Sequence, residues 1–578
     1  MTITESASAI DRDFLQRLIE PELERWKVPG LEVALVKDDE VVFAGGFGLA
    51  DRASGTPVDE KTLFHHGSTG KTHTALLAGI LVDEGLLDWD TPIRTYLPDF
   101  KLSDPVRTEL VTIRDLLAHR TGVSRNELQW VANPSWTRAE LVGRLRYLDM
   151  ARDFRTEFLY WNQGYALAGH IIGVVTGSTW EEQLHTRLLK PLGMTSAVTR
   201  IEEAEATGHL SHPYEVKDRE IVETTHRPIN PCAPAGQLLY CATDSARWLR
   251  FQANDGELDG VRLVTEDTYK QTRKVTIPLD IGEAFVPGEP DWGPTILGLG
   301  LGPAIGTYRG KPMVYASGGI DGFGTILVVL PHARIGVLVA GNVFPCGLAQ
   351  ALTFYLADRL LGVEPRAWLD RLYEESEKQR AAIKEAKAEV KKVDGTSPSH
   401  ALDDYVGDYE HPGYGLLRVS KTSDDELGFT LGELDLGSTY RHYDTWTARF
   451  EAFDESFPLT FVTDADGVIA EVVAPLDEQA QPIRFARRPD DQLTDADFLS
   501  RLTGRYAMGD IVVEITVGAN GKLVADVAGQ GSSELEPTHG TTFTIAASPS
   551  QSVEFVLGPD GPATGIVTSG VTFKRADD

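Results

Sequence analysis

Ser68-Thr69-Gly70-Lys71 sets a serine and a lysine three residues apart at the head of an apolar run. Three residues are close to one helical turn, so the two side chains share a face. A serine hydroxyl attacks a carbonyl only when a neighbour takes its proton, and Lys71 is within reach to do so. The positive end of the helix dipole also disfavours an ammonium in the first turn. The tetrad predicts acyl transfer through a serine ester. Two other readings compete for the same residues. Gly70-Lys71-Thr72 ends like a phosphate loop, but that motif needs a glycine where His65 stands, with His66 beside it. A plain helix N-terminus, with serine near the cap and lysine solvated, is the stronger reading of the tetrad taken alone, because so short a pattern recurs by chance. Partners elsewhere in the chain must decide.

Tyr160-Trp161-Asn162 is the second constellation. In an extended segment, positions i and i+2 point the same way, so Tyr160 and Asn162 face one site. A tyrosine hydroxyl relays protons. An asparagine side chain can donate to a substrate carbonyl and accept from Lys71. Trp161 either lines the pocket or belongs to the core. The third constellation is Ser317-Gly318-Gly319-Ile320-Asp321-Gly322-Phe323, after an apolar strand. Glycines there let a substrate lie against the backbone, and a backbone N–H could complete an oxyanion hole with that of Ser68. An aromatic loop and a Gly-rich turn are the plain alternatives.

These residues need a scaffold to converge. The chain has 578 residues, enough for roughly three or four domains, and its 42% hydrophobic and 24% charged composition is globular. Its net charge of −31 disfavours nucleic acid and anionic membranes as partners. Cys232, Cys241 and Cys346 cannot all pair within the chain and lack metal-ligand spacing. Nor is the spacing of His65, His66 and His73 that of a metal site. The run from Met1 to Asp11 has no basic or apolar leader signature, and no apolar run reaches membrane-spanning length, so the chain reads as soluble and cytoplasmic unless a leader was removed.

Residues 12–27 read as an amphipathic helix. Leu31 to Val36 and Val41 to Ala44 read as a hairpin, with Gly45, Gly46 and Gly48 as a loop after it. The helix opened by Ser68 ends at Gly85. Residues 86–230 are mostly helical, and 236–360 are mixed, with a helix near 347–361. Glu374 to Lys392 is a charge-rich helical linker. Short alternating strands follow in two units, opened by Val406-Gly407-Asp408-Tyr409 and Thr503-Gly504-Arg505-Tyr506 and closed by Ile483-Arg484-Phe485 and Phe573-Lys574-Arg575.

In order and context, the chain resembles the penicillin-recognising serine hydrolases, in particular the class C β-lactamase-like branch with its D-aminopeptidases, esterases and acyltransferases. The resemblance rests on Phe64 to Thr72, Asp83-Glu84-Gly85-Leu86-Leu87-Asp88, Tyr96-Leu97-Pro98 and Val111 to Gly122. It continues through Tyr160-Trp161-Asn162, Pro191-Leu192-Gly193-Met194, Pro234-Ala235-Gly236 and Asp244. It covers roughly residues 15–360. The trailing units resemble lipocalin-like barrels. The implied fold is α/β: an antiparallel sheet flanked by helices with an all-helical subdomain, followed by two small antiparallel β-barrel domains. The implied domains are 1–365 (hydrolase), 366–398 (charged linker helix), 399–490 (barrel) and 491–578 (second barrel).

The resemblance implies Ser68 as nucleophile, Lys71 and Tyr160 as the proton-handling pair, and Asn162 as a substrate-positioning residue. It lays Ser317, Gly318 and Gly319 on a motif whose first residue is ordinarily Lys or His, and gives the second oxyanion N–H to Ile320. The neutral Ser317 supplies no positive charge, which argues against carboxylated β-lactams. His119 is structural by the same resemblance. The loops Glu410 to Gly415 and Gly529-Gln530-Gly531 are either hairpins or substrate-restricting elements. The expected activity is hydrolysis of an amide or ester through an acyl-enzyme, as an aminopeptidase, amidase or esterase. Its substrate would be a D-amino-acid amide, a short peptide or a small ester. An acyltransferase and a catalytically silent binding protein are the alternatives. No metal or cofactor is expected. A homo-oligomer is compatible with the sequence, which leaves the oligomeric state open.

Overall fold

The computed structural model describes residues 10–279, 293–387, 392–450, 455–558 and 561–576. Part of the charge-rich run, residues 388–391, and the first nine residues lie outside them. The chain divides into two compact units. The first is Met1–Lys391 with Pro412–Tyr414 and Leu476–Gln481, and the second is the remainder.

A nine-stranded sheet organises the first unit. Its order from one edge is Ile277–Pro278, Thr295–Leu299, Ala304–Tyr308, Lys311–Ile320, Phe323–Leu330, Ile335–Gly341, Gly30–Lys37, Glu40–Asp51 and Thr56–Pro57, and every pairing is antiparallel. The N-terminal hairpin therefore closes onto the last strand of the mixed region, with Leu31 opposite Gly341. Alternation sorts the side chains. Leu31, Val33 and Leu35 join Leu15, Ile19, Leu348, Leu352 and Trp368 in one core. Glu32 faces the other way and accepts from Ser245, on the helix Ala242–Ala253.

The predicted first helix forms as Arg12–Trp26, started by the Asp11 carboxylate, which accepts from Phe14 N–H at 2.8 Å. The predicted strand at Val41–Ala44 is longer, Glu40–Asp51, and runs through Gly45, Gly46 and Gly48. The expected loop is absent because these glycines serve close packing. A Cβ on Gly46 would stand 2.1 Å from Val58 Cγ1. The helix Trp368–Lys387 begins inside the core, where Trp368 stacks on Phe354 at 4.9 Å.

Between the strands Phe64–His65 and Leu239–Tyr240 lies the helical part, including Ile113–Leu117, Glu127–Val131, Arg138–Arg144 and Asn162–Thr176. It also holds one small hairpin, Tyr214–Lys217 with Glu220–Glu223.

In the second unit, two eight-stranded barrels close on themselves, one from Gly407–His411 to Ile483–Arg487, the other from Gly504–Met508 to Val571–Arg575. Their duplication extends to hydrogen bonds. Tyr409 Oη donates to Tyr405 O at 2.9 Å and Tyr506 Oη to Leu502 O at 2.7 Å. Arg487 Nη2 donates to Val406 O and Arg575 Nη2 to Thr503 O, both at 2.8 Å. In each barrel, tyrosine and arginine thus tie the first and last strands to the segment before the barrel.

Candidate active site

The tetrad begins in a 3-10 turn, Gly67–Thr69, and continues as the helix Gly70–Asp83. His66 O accepts from Thr69 Oγ1 at 3.0 Å, which closes the turn. Gly67 has a φ of 51° and lies against the third-motif strand; a Cβ there would be 2.9 Å from Gly319 N. Lys71 Nζ donates to Ser68 Oγ at 3.0 Å and to Ala235 O at 2.6 Å. The Lys71 side chain is buried, so its Nζ is aimed by two oxygens rather than solvated. Pro234-Ala235-Gly236 thus supplies the carbonyl that holds the lysine, a role its residue types do not announce.

Tyr160 completes a triangle, its Oη donating to Ser68 Oγ at 2.7 Å. Lys71 Nζ is 4.8 Å from the centre of the Tyr160 ring. Trp161 is extended, as expected, and Asn162 opens the helix Asn162–Thr176. Trp161 is fully buried and belongs to the core. His119 is buried and stacks on the Tyr160 ring, centroids 4.5 Å apart, while its Nδ1 accepts from Trp161 N–H at 2.9 Å. Burial, then the charges of Lys71 and Arg125, hold its imidazole well below the usual histidine range, so it is neutral.

Asn162 makes a contact that sequence reading missed. Its Nδ2 donates to both Glu127 carboxylate oxygens, at 3.0 and 3.1 Å, and its buried Oδ1 has no hydrogen-bond partner. The expected donor is therefore committed to Glu127, and the carbonyl oxygen is the group left over. Burial raises the Glu127 carboxyl, against the lowering effect of Arg125 and Asn162. Arg125 Nε donates to Glu127 Oε1 at 3.2 Å, and its guanidinium carbon is 5.0 Å from the centre of the Tyr160 ring. No spacing in Ser124-Arg125-Asn126-Glu127 signals this. Pro412–Tyr414, from the middle of the loop Glu410 to Gly415, groups with the first unit. Tyr414 is buried there, and its hydroxyl donates to Asn126 Oδ1 at 2.8 Å.

The third motif is strand rather than turn. Ser317, Gly318, Gly319 and Ile320 end the strand Lys311–Ile320, and the chain reverses at Asp321-Gly322. Among the described residues, this strand pairs beyond Tyr315 only with Phe323–Leu330, and its other edge lies against the serine turn, with Gly319 N toward Gly67. A Cβ on Gly318 would stand 2.0 Å from His66 O, and one on Gly319 2.2 Å from the Phe344 ring. Both glycines answer to close packing. Ser317 is exposed. Arg227 Nε pairs with Asp321 Oδ2 at 2.7 Å and pins the reversal.

The histidines around the tetrad pack against aromatic rings. His66 stacks on Tyr240 at 3.6 Å and His73 on Trp248 at 3.9 Å. A phosphate loop has no room beside two buried histidines. Among the described residues, no three His, Cys, Asp or Glu are grouped to hold a metal ion, and no helix is long and apolar enough to cross a membrane. A cavity lined by Thr179, His185, Arg200 and Asn230 contains none of the site residues.

A family model described as Beta-lactamase matches residues 15–360, and one described as a domain of unknown function (DUF3471) matches residues 391–487. The unguisins hydrolase ungD of Aspergillus violaceofuscus is 28% identical over 83% of this chain and 88% of its own. Penicillin-binding protein 4 of Amycolatopsis lactamdurans is 29% identical over 58% and 85%. Among solved structures, an octameric penicillin-binding protein homologue from Pyrococcus abyssi aligns with a TM-score of 0.54 at 22% identity, covering 83% of this chain and all of its own. The first match spans the whole nine-stranded sheet and every residue of the tetrad, Tyr160 and third-motif constellations: the chain belongs to the beta-lactamase family of serine hydrolases.

Proposed function

We propose that this chain hydrolyses an amide or small ester through an acyl-enzyme on Ser68, with a D-amino-acid amide or short peptide as preferred substrate. The observation that carries the reading is the convergence of Lys71 Nζ and Tyr160 Oη on Ser68 Oγ, at 3.0 and 2.7 Å. Both lie within the range in which a proton can be handed over.

Ser68 Oγ attacks the carbonyl carbon, and its proton passes to the Lys71–Tyr160 pair. Which member holds it first is a property of the pair. The oxyanion sits between the N–H of Ser68 and that of Gly319, the third-motif amide that lies against the serine turn. The expected donor, Ile320, pairs with Phe323 across the two-residue reversal, which turns its N–H to the partner strand. The pair then protonates the leaving amine or alcohol as its bond to the acyl carbon breaks. A water molecule attacks the ester, gives its proton to the same pair, and Ser68 Oγ recovers it. Asn162, its Nδ2 held by Glu127, positions the substrate through Oδ1, the buried acceptor that the chain itself leaves unpaired. The name of the Aspergillus relative, a hydrolase, supports turnover over silent binding. The resemblance to D-aminopeptidases supports the choice of substrate.

Intact mass after incubation with an activated ester or a fluorophosphonate tests the chemistry. One acyl or phosphonyl adduct is expected in the native chain and none in Ser68→Ala. An adduct that persists in Ser68→Ala refutes the assignment. A panel of D- and L-amino-acid amides and p-nitrophenyl esters then ranks substrates.

A further inference from the structure

Arg125 stands out because the chemistry above does not use it. Its side chain is 50% exposed, beside a nucleophile whose lysine is buried. Its guanidinium carbon lies 5.0 Å from the centre of the Tyr160 ring, and Tyr160 Oη touches Ser68 Oγ. By covalent geometry the guanidinium is therefore no more than about 10 Å from the nucleophile, two or three residues of extended chain. Among the described residues its ion-pair partner is Glu127, reached through Nε. That contact leaves the terminal Nη1 and Nη2 for a second acceptor. The segment is held from both sides. Asn126 has a φ of 46°, and its Nδ2 donates to Ser124 O and Oγ at 2.9 and 2.8 Å. A position over an aromatic ring and an Nε hydrogen bond orient a guanidinium while its Nη1–Nη2 end stays uncommitted, the geometry suited to a carboxylate.

We propose that Arg125 is a specificity-determining residue that binds a carboxylate on the substrate, within about two residues of the scissile carbonyl. This deepens the proposed function and rests on it for the position of the scissile carbonyl. The carboxylate can belong to the leaving group, as the C-terminus of a short peptide, or to the acyl part. Ser317, the exposed side chain of the third motif, is neutral and does not compete for it.

Matched substrates separate the two sources. D-alanylglycine against D-alanylglycinamide varies the leaving side, and N-succinyl- against N-acetyl-D-alanine p-nitroanilide varies the acyl side. In one arm, kcat/KM for the carboxylate exceeds that of its neutral partner by about tenfold or more, the usual worth of a charge-assisted pair. Arg125→Gln brings that ratio to near one, and Arg125→Lys, which keeps the charge but not the fork, gives an intermediate ratio. Calorimetric titration of the same ligands into Ser68→Ala reads the preference without turnover. A ratio near one in both arms of the native enzyme, or one unchanged in Arg125→Gln, overturns the proposal. Binding preference in Ser68→Ala with no turnover by the native chain would retain the carboxylate site and reject the hydrolase chemistry.

Discussion

His119 stacks on Tyr160 at 4.5 Å while its Nδ1 accepts the N–H of Trp161, the next residue along the chain. One neutral ring thus fixes both the plane of the tyrosine and the backbone that carries it. Tyr160 reaches Ser68 from a segment of irregular structure, so this clamp replaces the support a helix or strand would give.

Replacing that clamp should cost turnover more than binding. His119→Ala frees the Tyr160 ring and leaves Trp161 N–H without its acceptor, so kcat should fall by about 100-fold with little change in KM. His119→Phe keeps a stacked ring and removes only the acceptor, and should fall less. Stopped-flow acylation by a p-nitrophenyl ester measures the step directly. Equal rates in His119→Ala and the native enzyme would show that Tyr160 is positioned by other contacts.

Ser68, Lys71 and Tyr160 should behave as one unit. Each of Ser68→Ala, Lys71→Ala and Tyr160→Phe removes a vertex of the same triangle, so any double variant should be little slower than the worse single one. Losses of about 1,000-fold or more are expected for Ser68→Ala and Lys71→Ala. Lys71→Arg should not rescue, because a guanidinium does not release a proton. Additive losses in the double variants would mean separate roles.

Much of this site could be read from short-range spacing. Ser68 and Lys71 meet because one helical turn separates them, and Tyr160 was flagged by its motif. The lysine's second partner was invisible because it is the backbone carbonyl of Ala235, which any residue could supply. Arg125 and Glu127 were invisible for a different reason: nothing in their local pattern separates them from surface charges, and only the fold brings them to Tyr160 and Asn162. Asn162 itself was found, but the commitment of its amide to Glu127 was not. The sheet was legible wherever apolar residues alternate. It was misjudged at Gly45, Gly46 and Gly48, because a glycine kept for close approach and one kept for a turn are the same letter. The third motif repeats the lesson, since Gly318 and Gly319 are strand residues pressed against His66 O and Phe344.

That pressure makes Gly318 a sharp test of the packing. The Cβ of Gly318→Ala would overlap His66 O, the carbonyl that closes the serine turn. Backbone must shift to relieve it, at a cost of about 1–3 kcal/mol, and the shift falls on the Ser68 turn. Thermal unfolding should drop and acylation should be lost together. Gly143→Ala is the contrast: a helical glycine with open space around its Cβ should gain about 0.5–1 kcal/mol and keep full activity. A stable, active Gly318→Ala would mean that the strand stands farther from the turn than 2.0 Å implies.

Acid should unfold the first unit well above the range where its carboxylates protonate. His65 and His73 are fully enclosed, and burial brings both from the ordinary 6.5 down to about 3. His119 is lowered in the same direction. For such a group the unfolded chain binds a proton that the folded one refuses. Its contribution to stability is complete above pH 6.5 and is lost as the pH falls, until the folded group titrates near 3. Each histidine then costs about 2 kcal/mol at pH 5. Denaturant unfolding at pH 7.5, 6 and 5 should show the midpoint falling with acidification. His73→Phe keeps a ring against Trp248 and removes one proton site, so its stability should fall less steeply with acidification, by about one proton's worth between pH 6.5 and 4. A slope identical to that of the native chain would mean that His73 accepts its proton while folded, and that its burial against Trp248 does not exclude the charge.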